Sequence, residues 1–224
     1  MTLQELVRPK LLSFDVFGTL VDWRTGLLDA LKQYGVSVGE QDFDRIIGYQ
    51  AELERGPFRT YTEVTVESLV RVAKLDRTTA ETIAETLGFW PLFPDSSAAL
   101  DRLRRCPVRL VAITNSDRKH GDQVQQQLGF RLDAWFCAEE LGVYKPDLAV
   151  WRSVAERLGI VPSREWWHVS AYADYDLEAA RRFGLTLVLV RRSHRCETAA
   201  DLVVSDLNEL ADVVEHLFCA QEER

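Results

Sequence analysis

The sequence predicts an α/β protein: a doubly wound parallel sheet with a helical cap inserted after its first strand. Three observations predict it. Short runs rich in β-forming residues recur along the chain and are apolar at nearly every position, the pattern of strands covered on both faces. Amphipathic stretches lie between them, several ending in glycine, where a helix terminus often takes a left-handed residue. One long segment near the start breaks this alternation with helix after helix.

The first strand is LLSFDV (11–16), stopped by Gly18. Residues 21–91 then read as successive helices, TGLLDALKQYG, DFDRIIGYQAELERG, EVTVESLVRVAKLD and TTAETIAETLG, with no strand between them. WPLFPD (90–95) carries two prolines that punctuate a return to the sheet. Further strands are expected at VRLVAIT (108–114), AWFCA (134–138), WWHVS (166–170) and LTLVLV (185–190). SSAALDRLRR, DQVQQQLG, LAVWRSVAERLG and DLEAARRFG supply the helices between them. The expected division is a core of residues 1–20 and 92–224 and a helical cap of residues 21–91. Ligands of open parallel sheets collect at the carboxyl ends of the strands, so a cap leaving from the first strand would lie over that crevice.

Composition bounds what such a molecule does. At 224 residues, 46% hydrophobic and 10% aromatic, the chain can bury a substantial core, which excludes intrinsic disorder. Its formal charge of -8, from 27 basic and 35 acidic residues, disfavours nucleic acid and anionic membrane as partners. No apolar run approaches the roughly 20 residues that span a bilayer. The opening MTLQELVRPK lacks the features of a secretory signal, so a cytoplasmic protein is expected. Cys106, Cys137, Cys196 and Cys219 are scattered without metal-ligand spacing and read as reduced, structural thiols.

Polar residues fall where the predicted strands run out: Asp15 and Thr19, then Thr114, Asn115 and Ser116, then Lys145 in VYKPD, then Ser170, Asp174 and Asp176. Taken singly each has an ordinary reading, as turn, helix cap or solvated charge. Converging on one crevice, they suit covalent catalysis by an aspartate.

FDVFGTLVDW, AITNSD, VYKPD and HVSAYADYDLEAARRFG resemble, in order and spacing, the four signature segments of the haloacid dehalogenase superfamily. That resemblance implies a Rossmann-like core, with Asp15 as nucleophile, Thr114 and Asn115 holding the substrate's anionic group, and Lys145 balancing the carboxylate charge. Phosphate-transferring members carry a second aspartate two positions after the nucleophile and an acidic magnesium ligand in the fourth segment. Those positions are Phe17 and Ala171 here. DVFGT resembles instead the 2-haloacid dehalogenase branch, which uses no metal, so the resemblance implies no cofactor.

The implied reaction is attack of Asp15 on the α-carbon of a short 2-halo carboxylic acid, expulsion of halide, and hydrolysis of the aspartyl ester to a 2-hydroxy acid. Asp15 must be ionised, and Lys145 nearby is expected to help keep its pKa low. Asp176, eight residues before Gly184 as in the branch, is expected to orient water or to cap the following helix. Ser170 resembles the serine that supports the lysine, and Thr19 and Phe17 belong to the substrate's surroundings. Where the branch has a halide-receiving arginine on its second cap helix, GYQAELERG offers Tyr49 and Gln50; Arg59 could reach in from the cap, or be solvated. Trp151 stands at the branch's tyrosine, Tyr172 nearest its asparagine, and the fourth segment is one residue longer. Trp23, Tyr49, Phe58 and Tyr61 could wall the site or pack the cap helices. No histidine occupies an expected catalytic place, and many relatives pair through the cap, which leaves a homodimer open. The alternatives are opening of a strained-ring acid (epoxide or azetidine) by the same aspartate, a magnesium-dependent phosphatase, and a core kept only for binding.

Overall fold

The computed structural model describes residues 6–192 and 199–219; Cys196 and His194 lie outside the described residues. Six strands form one sheet in the order β3-β2-β1-β4-β5-β6, every pair parallel. They are β1 (Leu11–Phe14), β2 (Arg109–Thr114), β3 (Ala134–Cys137), β4 (Trp166–Ser170), β5 (Thr186–Val190) and β6 (Leu202–Val204). Strand order reverses between β1 and β4, so the two halves of the chain build outward in opposite directions from that pair. A crevice opens at such a reversal, beyond the strands' carboxyl ends.

Successive side chains of a strand face opposite sides of the sheet, and the core divides accordingly. Leu12, Phe14, Leu110 and Trp167 face one side with α5 (Ser96–Leu103), α6 (Arg118–Leu128) and α10 (Leu207–Cys219). Leu11, Val111, Ile113 and Trp166 face the other, against α8 (Leu148–Leu158) and α9 (Glu178–Arg181); α7 (Ala138–Leu141) follows β3. Three elements differ from expectation. The three-residue β6 and α10 lie beyond the last anticipated strand. The stretch expected as a continuous helix from Asp176 opens instead as a π turn, Ala173–Leu177, in which the Leu177 amide donates to the Tyr172 carbonyl at 3.2 Å. Cys106, Cys137 and Cys219 are free. Among the described residues no helix is long and apolar enough to cross a membrane.

Between β1 and β2 run α1 (Trp23–Gln33), α2 (Glu40–Glu54), α3 (Tyr61–Arg71) and α4 (Arg77–Ala84). The chain leaves and re-enters the sheet layer side by side: Val21 bridges Leu92, and the Asp22 amide donates to the Pro91 carbonyl at 2.7 Å. Two polar contacts fasten the helices to the strand ends. The Asp117 carboxylate accepts from the backbone amides of Tyr61 (2.7 Å) and Thr62 (2.8 Å), satisfying donors that the first turn of α3 would leave unpaired. His120 accepts from the Asp117 amide at Nδ1, so its Nε2–H donates to the Ala84 carbonyl at 2.9 Å. Burial holds that imidazole below its ordinary pKa, consistent with the neutral tautomer. Asp117→Ala strands one buried and one part-buried donor, and a stability loss of about 1–3 kcal/mol is expected in urea unfolding. An unchanged midpoint would show that this contact does not fasten the insertion.

Candidate active site

Asp15 follows β1 directly, its amide still donating to the Val169 carbonyl of β4 (3.0 Å), so it stands at the strand reversal. The chain turns sharply behind it. Gly18 takes a φ of +89°, and a Cβ there would lie 2.2 Å from the Tyr172 hydroxyl, so both the turn and that ring require glycine. The turn brings Thr19 under the carboxylate: Thr19 Oγ1 donates to Asp15 Oδ2 at 2.6 Å and accepts from the Ala171 amide at 3.0 Å. Arg192 in turn donates to the Thr19 carbonyl.

Lys145 is buried, and its Nζ spends three hydrogen bonds on Asp15 Oδ1 (2.9 Å), Asp176 Oδ2 (2.8 Å) and the Ile113 carbonyl (2.9 Å). The lysine backbone is gripped by one side chain: Asn115 Oδ1 accepts from its N–H at 2.8 Å and Asn115 Nδ2 donates to its carbonyl at 3.0 Å. One ammonium between two carboxylates sets the electrostatics. Burial and the neighbouring Asp176 push the Asp15 carboxyl above its ordinary value, and Lys145 only partly offsets them. The lysine acts in the expected direction, lowering the Asp15 carboxyl, but burial and Asp176 outweigh it. Against its own burial, Lys145 and His168 hold the Asp176 carboxyl far down, and the two aspartates hold Lys145 above its ordinary value despite burial.

A polar chain supports Asp176 from below. Trp166 Nε1 donates to Ser13 Oγ (2.7 Å), Ser13 Oγ meets His168 Nδ1 (2.8 Å), and His168 Nε2 lies 3.1 Å from Asp176 Oδ1, short of hydrogen-bond alignment. These residues alternate into the sheet face beneath Trp151, whose ring packs edge-on to His168 at 4.6 Å. His168 is thus tied to the site through Asp176.

Above Asp15 a cavity of about 860 Å³ opens between strand ends and inserted helices. Asp15, Phe17, Thr114, Asn115, Lys145 and Tyr172 line it, so the structure brings together most of the residues at the strand tips. Thr19, Ser170, Asp176 and Trp151 lie buried and are not among its lining residues. Ser170 Oγ accepts from the Tyr172 amide (3.0 Å), and among the described residues no hydrogen bond joins it to the lysine. Trp151 is fully buried because its position on α8 faces the sheet.

Two expected residues stand elsewhere. Tyr49 lies with Arg45, Glu52 and Arg71 along a separate surface cleft. Positions 45, 49 and 52 share one face of α2, whereas Ile47, Gln50, Ala51 and Glu54 share the face that lines the cavity. Arg59 is exposed and not among the lining residues; its carbonyl accepts from the Tyr144 hydroxyl at 2.9 Å. Arg55, one residue beyond α2, lines the cavity instead. Of the four aromatics, Trp23, Phe58 and Tyr61 line it and Tyr49 does not. Tyr144, Tyr175 and Glu54 also line it unanticipated; the helical period of 47, 50, 51 and 54 was the available signal for Glu54.

A family profile described as a haloacid dehalogenase-like hydrolase matches residues 9–184, most of the chain. The chain belongs to that family. Among curated relatives, the haloacid dehalogenase-like chain is 27% identical over 217 residues to (S)-2-haloacid dehalogenase H-109 of Pseudomonas putida, covering 89% of this chain and 95% of the relative. It is also 29% identical over 161 residues to a phosphoserine phosphatase of Thermus thermophilus, covering 69% and 64%. Among solved structures, the L-2-haloacid dehalogenase PA0810 superposes with a TM-score of 0.80 at 26% identity, covering 92% of this chain and 99% of that one. This haloacid dehalogenase-like hydrolase therefore shares the α/β fold of 2-haloacid dehalogenases.

Proposed function

We propose that this hydrolase opens the carbon–halogen bond of a short 2-halo carboxylic acid by nucleophilic attack of Asp15. The observation that carries the reading is the position of Asp15 in the cavity, with each carboxylate oxygen holding one donor: Thr19 on Oδ2 and Lys145 on Oδ1. Whichever oxygen attacks the α-carbon, the other becomes the ester carbonyl and keeps a donor. When water then adds to that carbonyl carbon, the donor stabilises the negative charge that develops. The alkyl oxygen departs as the hydroxy acid and a water oxygen remains on Asp15. Arg55 is the cation at the cavity that can meet the substrate's carboxylate, and Phe17, Trp23, Phe58 and Tyr61 give the cavity an aromatic lining.

The same residues fit a magnesium ion poorly. Phe17 and Ala171 occupy positions where phosphate-transferring members carry carboxylates, and Lys145 already fills the space between Asp15 and Asp176 with a positive charge. Halide release from 2-chloropropionate or chloroacetate, unchanged by chelator, is the expected result of a panel of haloacids, strained-ring acids and an aryl phosphate. Turnover of the phosphate alone, stimulated by magnesium, would overturn the reading.

A further inference from the structure

Of the acidic side chains that line the cavity and that the Asp15 reaction leaves without a role, Asp147 and Asp174 are exposed and Glu54 is not. It ends the cavity-lining face of α2, so it reaches the cavity from the inserted helices while Asp15 reaches it from the sheet. Among the described residues, its carboxyl has one hydrogen bond, from Asn115 Nδ2 at 3.4 Å, and no ion pair. Asn115 is the residue that also grips the Lys145 backbone, which places Glu54 beside the catalytic cluster. Lys145 and Arg55 are the cations that act on it, and the phenols of Tyr61, Tyr144 and Tyr175 are the titratable groups that feel it. A carboxyl so enclosed keeps its proton easily: burial outweighs Asn115, Lys145 and Arg55 and pushes its pKa up to about 7.

We propose that Glu54 is the acid that receives the leaving group, its O–H hydrogen-bonding a departing halide and giving up its proton to a more basic departing atom. The inference rests on attack by Asp15 and goes beyond it by naming the class of leaving group that the site serves best: a poor anion such as fluoride, or the oxygen or nitrogen of a strained ring. As the Asp15 oxygen bonds to carbon, the carbon–leaving-atom bond breaks with its electron pair on the leaving atom, which takes or shares the Glu54 proton. In the second step water adds to the Asp15 carbonyl carbon. One of its protons goes to the hydroxy acid's oxygen and its oxygen stays on Asp15; the other proton restores Glu54 where the leaving atom took its proton, and passes to solvent where a halide only shared it. An ionised Glu54 does neither job and repels an anionic substrate, so turnover falls as pH rises through its pKa.

The test compares 2-bromo-, 2-chloro- and 2-fluoropropionate in the intact protein and in Glu54→Gln across pH 5.5–9. Glutamine keeps a hydrogen-bond donor but has no proton to give. The expected loss in kcat/KM is therefore no more than about tenfold with bromide and at least about 10²-fold with fluoride, within the range for a missing general acid. The alkaline limb near pH 7 should vanish in Glu54→Gln and persist in Glu54→Asp. Carbon-13 glutamate spectra, with the Glu54 signal assigned by its absence in Glu54→Gln, should show it titrating near 7 without substrate. Equal losses for all three halides, a limb that survives in Glu54→Gln, or titration in the ordinary carboxylate range overturns the proposal. Fluoride release that ceases in Asp15→Asn but is untouched in Glu54→Gln overturns the Glu54 role alone. Failure of the intact protein on all three halides with release from none removes the Asp15 reading first.

Discussion

Asp15→Asn should lower turnover of any accepted haloacid by about 10⁴-fold or more while leaving the protein folded. An amide is too poor a nucleophile to replace a carboxylate, and loss of an essential nucleophile costs on this scale. The fold should survive because asparagine keeps an oxygen for Thr19 or Lys145, and the charge removed is one that burial already disfavours. The upward push on Asp15 also gives a sign to the acid side of the pH profile. Attack needs the ionised carboxylate, so activity falls as pH drops through a pKa above the ordinary carboxylate value. Together with Glu54, which must be protonated, this makes a bell with its alkaline limb near pH 7. Rate profiles of the intact protein check both limbs; a profile still rising above pH 8 contradicts the pairing.

Lys145→Met should cost both stability and activity. Its ammonium is the shared partner of two buried carboxylates, and removing one partner of a buried ion pair typically costs about 3–5 kcal/mol because charge is left uncompensated. The direction with pH follows. Without Lys145 both carboxyl pKa values rise in the folded state, so the ionised forms oppose folding more strongly as pH climbs above the ordinary carboxylate range. The deficit should therefore be larger at pH 8 than at pH 5, where protonation relieves part of it. Urea unfolding at the two pH values measures this. A deficit independent of pH would mean that lost packing of the lysine stem, rather than charge, is what matters.

Much of this site was legible because a parallel sheet puts function at strand tips. Asp15, Thr114, Asn115 and Lys145 could be picked out as polar residues ending apolar runs, and all four line the cavity. What the sequence concealed lies where that rule is silent. On α2 the choice between Tyr49 and Glu54 is a question of helical phase, and only the contacts of Gln50 with Ser68 and Glu54 with Asn115 show which face turns inward. The fourth segment opens as a π turn, a device that apolar periodicity does not signal. It leaves Asp176 on Lys145 while Tyr172 and Tyr175 line the cavity. His168 and Ser13 sit in strands that otherwise read as apolar, and their pairing becomes visible only when the register sets them side by side. The last strand, β6, has three residues and falls below what periodicity can resolve.

The central claim is that an oxygen of Asp15 becomes the substrate's hydroxyl oxygen. A single turnover in heavy-oxygen water, with enzyme in excess over 2-chloropropionate, followed by mass analysis of the peptide that contains Asp15, tests it directly. The account predicts one heavy oxygen on Asp15 and an unlabelled hydroxy acid. Label in the released hydroxy acid and none on Asp15 would mean that water attacks carbon directly, and would contradict it.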